Sequence, residues 1–329
     1  MAVPRTRSRA TRWAVRSHAA SAAVVALALV PAAAQPTLPH AVTDGLADLR
    51  TEAVREADDA ARQRGRALLD ATALRHGLEA WRGFSTFEAV AADRWSRPGP
   101  WWPQQDQRIR MQQRVGTFTS RVELLDGPAA GEIWGIQSWA PYRRAGSSTE
   151  ARFLDGPEGA LRFYLPSLHY FNELIFRLQR APTAIDAGEA TLGGRVYDRV
   201  FVTWGDPHPR DQVDHYVLWI ARDSGLVEMA HYTVRDIAVL GLAPEDQREL
   251  MRAGAAGTIH YSDFRDVGGV LFPFRQVVTL LGPEQAPDPL TDDFVHLLEV
   301  ESAGFDGFTA ELLTPDPARG APADTKPGG

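Results

Sequence analysis

The chain has 329 residues, 44% of them hydrophobic, with nine tryptophans, no cysteine and a formal net charge of −7. The lack of cysteine excludes disulfides, cysteine nucleophiles and thiolate metal sites, so a packed core must carry the stability. The acidic balance excludes a nucleic-acid partner, because such a chain repels a polyanion at long range.

Residues 1–34 read as a targeting segment. Arg5, Arg7, Arg9, Arg12 and Arg16 precede the apolar run AASAAVVALALVPAAAQP, and no acid accompanies them. A basic region, a short apolar region and the small-residue site Ala32-Ala33-Ala34 predict a secretory signal peptide cleaved after Ala34. The run is shorter than the ~20 residues a membrane span needs. The mature chain is therefore expected to be periplasmic or secreted and not membrane-spanning. Losing five of the 35 basic residues and none of the 42 acids takes its net charge from −7 to −12.

Residues 35–82 are expected to be a helical segment. Leu46, Leu49, Val54, Ala61, Leu68, Leu69 and Leu74 recur at roughly helical spacing in a proline-free stretch rich in Ala, Leu, Arg and Glu. The texture changes at Gly83, and FSTFEAVAADRW (84–95) reads as a first strand. Two further β runs follow, QRIRMQQRVGTFTSRVELLDG and GEIWGIQSWAPYRR, separated by a turn at Asp126-Gly127-Pro128 and Gly131. Leu168, Phe171, Leu174, Ile175 and Leu178 then mark one face of a helix over 166–180, with Pro166 in its first turn.

Strands are predicted at 194–205, 215–222 and 226–236, the last two joined at Asp223-Ser224-Gly225. A short helix is expected at 242–254, a hairpin around Val267-Gly268-Gly269, and a closing strand at 294–302. Residues 313–329, rich in Pro, Gly and Ala, are expected to be a disordered tail. Antiparallel strands with one inserted helix indicate an α+β fold on a strongly curved meander sheet, a single domain over 83–312.

Catalytic motifs are missing: there is no G-x-S-x-G, H-E-x-x-H, P-loop or G-x-G-x-x-G after a strand. His208, Asp211, Asp214 and His215 cluster in a proline-containing loop, where solvent also selects such residues. His215 and His231 share a sheet face only if the connecting turn has three residues; a two-residue turn separates them. Glu228, Asp236, Asp263 and Asp266 lie on or beside strands, where acids at alternate positions face water. No catalytic residue, metal ligand or cofactor is assigned.

Aromatic weight in the strands is the stronger signal. In HYVLWIA, Tyr216, Leu218 and Ile220 alternate with Val217, Trp219 and Ala221, so both faces are apolar. VFVTW behaves likewise. Such a sheet needs cover on both faces or a bound apolar ligand. In GEIWGIQSW, Trp134 and Trp139 are an odd number of residues apart, and a regular strand sends them to opposite faces. A bulge at Gly131 or Gly135 would put them on the same one.

The order of elements, the run YSDFRDVGGVLFPF (261–274) and the closing Phe305 and Phe308 resemble the LolA/LolB-like superfamily of periplasmic lipoprotein carriers. That resemblance implies an incomplete, half-open barrel lidded by helices, whose inner face receives acyl chains. It carries over no functional residue. Trp134, Trp139, Phe171, Ile175, Trp204 and Trp219 are the candidate ligand contacts. The expected function is an exported, non-catalytic protein that binds a lipid, acyl chain or lipoprotein, with an envelope protein as a further candidate partner. The alternatives are an interaction protein whose barrel is filled by its own side chains, and a hydrolase or metal enzyme with dispersed site residues.

Overall fold

The computed structural model describes residues 41–43, 46–95, 106–148, 150–154, 159–209, 213–235, 256–279, 282–283 and 294–319. All belong to one unit, Pro36–Gly329. The signal peptide, the 242–254 helix, Asp211 and Asp236 lie outside these residues, as does most of the tail.

The N-terminal segment is not helical from its start. A small hairpin comes first, β1 (Ala41–Thr43) paired with β2 (Leu46–Asp48). Helices follow as α1 (Glu52–Arg55), α2 (Asp59–Arg75) and α3 (Leu78–Trp81). The starts of α1 and α2 are set by side-chain caps: Thr51 Oγ1 accepts from the Val54 amide and Asp58 Oδ1 from the Ala61 amide.

The sheet strands are β3 (Thr86–Trp95), β4 (Asp106–Arg114), β5 (Ser120–Leu124), β6 (Ile133–Gln137), β7 (Ala140–Arg144) and β8 (Arg152–Phe153). After helices α4 (Gly159–Asn172) and α5 (Leu174–Leu178) come β9 (Thr183–Leu192), β10 (Arg195–Thr203), β11 (His215–Ala221) and β12 (Val227–Thr233). The last strands are β13 (Ala256–Val267), β14 (Val270–Thr279) and β15 (His296–Phe305).

Among the described residues, thirteen strands form one antiparallel sheet in the order β8-β7-β6-β5-β4-β3-β15-β14-β13-β12-β11-β10-β9. The two edges, β8 and β9, do not pair, so the barrel stays open. Register shifts at Asp198/Val200, Trp219/Ile220 and Val300/Ser302 mark bulges, which bend strands. This is the α+β, open curved antiparallel sheet expected from the sequence.

The chain reaches one edge from the other only through α4 and α5, and this connection places the helices on one face, here the inner face. The expected single helix over 166–180 is in fact two. It begins seven residues earlier, at Gly159, and breaks at Glu173. Pro166 is therefore interior, not in the first turn, and leaves the Arg162 carbonyl without its i+4 donor.

Both faces of the two-sided strands are covered by protein. Tyr216, Leu218 and Ile220 face inward against Leu174, Ile175 and Phe176 of α5 and Leu69 of α2. Val217, Trp219 and Ala221 face outward against Leu49, Val54 and Ala61 of the N-terminal segment. Helix α2 closes the β9 edge so tightly that a Cβ on Gly65 would lie 2.4 Å from the Asp186 and Ile185 backbone.

The other arm is covered from outside by the C-terminal segment, where a disordered tail was expected from 313. Leu313 is fully buried, Ala310–Leu313 and Pro317–Arg319 form 3₁₀ turns, and Gln137 Nε2 donates to the Asp316 carbonyl at 2.7 Å. Elsewhere the outer face carries a small apolar cluster of Val277, Phe294 and Leu297 and the strand-crossing ion pairs Arg94–Glu299 and Arg108–Glu301.

Candidate ligand cavity beneath the crossing helix

Helix α4 is pinned to the inner face at both ends. Toward its N-terminus, Leu161, Tyr164, Leu165 and Leu168 pack on Ile109, Val122, Trp134 and Ile136. Within that apolar layer Tyr164 donates to Asp93 Oδ2 at 2.7 Å, and His296 Nε2 lies 2.5 Å from Asp93 Oδ1. The α4/α5 break carries a second anchor. Glu173 Oε1 accepts from the Gly116 amide at 3.1 Å and lies 3.0 Å from His169 Nε2, while Arg177 pairs with Oε2 at 2.7 Å.

Burial alone would push the Glu173 carboxyl up. The Arg177 and His169 charges and the hydrogen bonds from His169 and Gly116 outweigh it, so the group is held low and ionised. Arg177 also reaches the Thr117 carbonyl and lies 4.1 Å over the Phe118 ring. The β4–β5 turn is thereby fixed to the helix.

Between these anchors the packing is incomplete. A cavity of about 150 Å³ lies between α4, the β4–β5 and β6–β7 turns, and the ends of β11 and β12. Its walls include Phe118, Trp139, Pro166, Tyr170, Tyr216 and Tyr232. The rings interlock: Phe118 stacks with Tyr170 at 6.2 Å and meets Trp139 at 5.0 Å, and Tyr216 stacks with Tyr170 at 6.0 Å. Burial pushes the phenols of Tyr170, Tyr216 and Tyr232 upward, so they stand as neutral walls. Asp214 borders the site, its Oδ1 accepting from the Arg235 amide at 2.6 Å and Thr233 Oγ1 at 3.1 Å. Arg162 lies at the opposite wall and is exposed. A second void of about 20 Å³ touches Phe171, Ile175 and His76.

No protein-family model matches the chain, and no curated protein does. Among solved structures it is similar to a LolA superfamily protein from Nitrosomonas europaea, at 12% identity and a TM-score of 0.44, over 76% of this chain and 97% of that one. A DUF1329 family protein from Desulfovibrio piger matches at 9% identity and a TM-score of 0.45, covering 78% and 98%. An outer membrane lipoprotein-sorting protein domain from Vibrio parahaemolyticus matches at 9% and 0.46, covering 77% and 97%. What the chain can hold depends on its own cavity.

Of the six candidate residues, the structure brings Trp139 and Phe171 to the cavity. The other four are elsewhere. Trp134 is buried beneath α4, edge-on to Tyr164 at 6.5 Å. Trp219 packs on the outer face beside Tyr197, with Arg199 over its ring at 5.4 Å. Ile175 lines the smaller void, and Trp204 is exposed.

Trp139 is not in a strand. Ser138 and Trp139 form the two-residue turn between β6 and β7, so the parity argument does not reach it. Neither glycine bulges β6, whose register is continuous from Ile133 to Gln137. Phe118, Tyr170, Tyr216 and Tyr232 were missed as site residues. The only sequence signal for Phe118 and Tyr170 is the His169-Glu173-Arg177 spacing, which sets an ionic row on one helix face.

His215 and His231 share a face, since His231 pairs with Val217 across a connection of residues 222–226. His231 Nδ1 bonds Thr258 Oγ1 at 2.9 Å. Among the described residues no three His, Asp or Glu side chains converge to hold a metal ion.

Proposed function

We propose that this is an exported envelope protein that binds an apolar molecule, an acyl chain of a lipid or lipoprotein, in the cavity beneath α4. One observation carries the reading: an aromatic-walled space of about 150 Å³ persists where the crossing helix spans the open sheet. Protein interiors are otherwise close-packed, so an aromatic-walled space here offers an apolar group a place to enter. Polar groups at its border, Asp214 and Arg162, suit the junction between an apolar chain and a wet headgroup.

Native mass spectrometry of the mature protein from an envelope fraction, followed by lipid extraction, tests this. The expected result is a bound species that releases an acyl-containing molecule. A chain that is always ligand-free and takes up no added fatty acid would overturn the proposal.

A second reading has its own observation. Outside the two voids, the inner face is filled by Trp134, Phe87, Phe272, Leu165 and their neighbours. A self-filled half-barrel would serve as an interaction protein, and its partner would dock without lipid. Capture of a stable protein complex that contains no extractable lipid favours this reading.

A further inference from the structure

The turn that carries Trp139 goes against the preferences of its own residues. Among the described residues, three two-residue hairpin turns have both residues at positive φ. Two use glycine pairs: Gly193-Gly194 (58° and 82°) and Gly268-Gly269 (63° and 90°). The third is Ser138-Trp139, at 49° and 63°. Asn-Gly or Gly-Gly is the usual choice at such a turn, and a bulky side chain there is an outlier. Strain of this kind persists only where the surroundings hold it, and it gathers at clamps and switches.

The surroundings are specific. From outside, the C-terminal segment grips the turn: the Asp316 amide donates to Gln137 Oε1 at 3.2 Å, and Ser138 Oγ lies 3.5 Å from the Arg319 carbonyl. From inside, the Trp139 ring meets Phe118 and forms part of the cavity wall. The ring is itself partly exposed and so stands between the cavity and solvent. The other walls are held in place. Helix α4 is anchored through Asp93 and Glu173, and β11 and β12 are interior strands.

In this conformation the cavity, partly open to solvent, measures about 150 Å³, the size of a void that holds benzene. Sites for larger ligands run to ~300 Å³ and more. A long acyl chain therefore needs this space to widen. We infer that Trp139 is the gate and size filter of this cavity. The left-handed turn aims its ring inward, and swinging the ring out admits a longer apolar chain. The inference rests on the apolar-ligand reading above.

The test compares wild type with Trp139→Gly, in which the turn gains its preferred residue and loses the ring. Trp139→Asn serves if the first variant does not fold, since Asn tolerates the same backbone. Stopped-flow displacement of N-phenyl-1-naphthylamine by octanoate, dodecanoate and octadecanoate gives rates and chain-length preference. The expected result is uptake about tenfold faster in either variant, a weaker preference for short chains, and an undiminished melting temperature. Equal rates and equal preference in wild type and variants would overturn the gate while leaving the apolar-ligand reading intact. Absence of binding by wild type and variants alike would overturn both. Ser138→Asn, which eases the turn but keeps the ring, should leave uptake unchanged, and a change there counts against the ring as the gate.

Discussion

Tyr164 of α4 and Asp93 of β3 meet through a 2.7 Å hydrogen bond inside the apolar layer beneath the crossing helix. Asp93 is buried there, and His296, its second partner at 2.5 Å, stacks on Trp95 at 4.2 Å. Burial pushes the Tyr164 phenol far up, and the adjacent Asp93 charge and hydrogen bond push it further, so it remains a donor.

Tyr164→Phe should therefore destabilise the fold by about 1.5–3 kcal/mol, the range for a hydrogen bond to a charged group. Urea unfolding gives the value, and hydrogen exchange should show the loss of protection concentrated in α4. A change below about 0.5 kcal/mol, the range of an ordinary surface substitution, would mean that apolar packing alone holds the helix.

The tryptophans separate core from surface. Trp134→Ala and Trp219→Ala should each cost about 3–5 kcal/mol, the range for removing a large buried ring. Trp204→Ala should stay within about 0.5 kcal/mol, because that side chain is exposed. Denaturant midpoints at constant m-value test all three. If Trp219→Ala were nearly neutral, the N-terminal segment could not be the cover of the outer face.

This contrast also shows how much the sequence made legible. Alternation in HYVLWIA revealed that β11 is apolar on both faces, and hence that both need cover, because a strand's period survives any tertiary context. What provides the cover was hidden. The N-terminal hairpin and the C-terminal turns reach the sheet from the far ends of the chain, and no local pattern encodes such distant packing. Trp139 was legible as an aromatic but not as a turn residue, since Ser-Trp carries none of the chemistry that marks a left-handed turn. Helix α4 was found by its period, yet Pro166 misplaced its start. Proline at a first turn is the common case, and only the structure shows the interior one.

Gly135 and Tyr142 form another tightly fitted pair, on the outer face of β6 and β7. A Cβ on Gly135 would lie 2.1 Å from the Tyr142 ring, closer than atoms can approach. The two residues stand opposite each other, and the ring fills the space a side chain would take. Gly135→Ala should cost about 1–3 kcal/mol through forced displacement of the buried ring. In Gly135→Ala combined with Tyr142→Ala, the two effects should not add, since the second change removes the clash. Additive losses in that double-mutant cycle would show that the glycine is needed for its backbone instead.

His76 sets a pH dependence whose sign can be worked out. Its Nε2 accepts from the Val227 amide at 3.0 Å, so the neutral ring carries its proton on Nδ1, which faces the Leu271 carbonyl at 3.3 Å. Burial, opposed by that carbonyl and aided by Arg75, lowers its pKa to about 4. His215 is lowered to about 3 by burial and Arg235, against the opposing pull of Asp48. In the unfolded chain a histidine titrates near its ordinary value of 6.5. Above pH 6.5 both states hold these rings neutral, and they contribute no pH dependence. As pH falls below 6.5, the unfolded chain takes up protons that the native state refuses until about pH 4. Stability is therefore present above the unfolded value and lost on acidification, by up to about 1.4 kcal/mol per pH unit for each histidine. His76→Gln, which can still accept from Val227, should be less stable at pH 7 but lose stability less steeply between pH 6.5 and 5. Urea midpoints at three pH values in that window give both slopes. Parallel slopes for wild type and variant would mean that His76 is protonated in the native state after all.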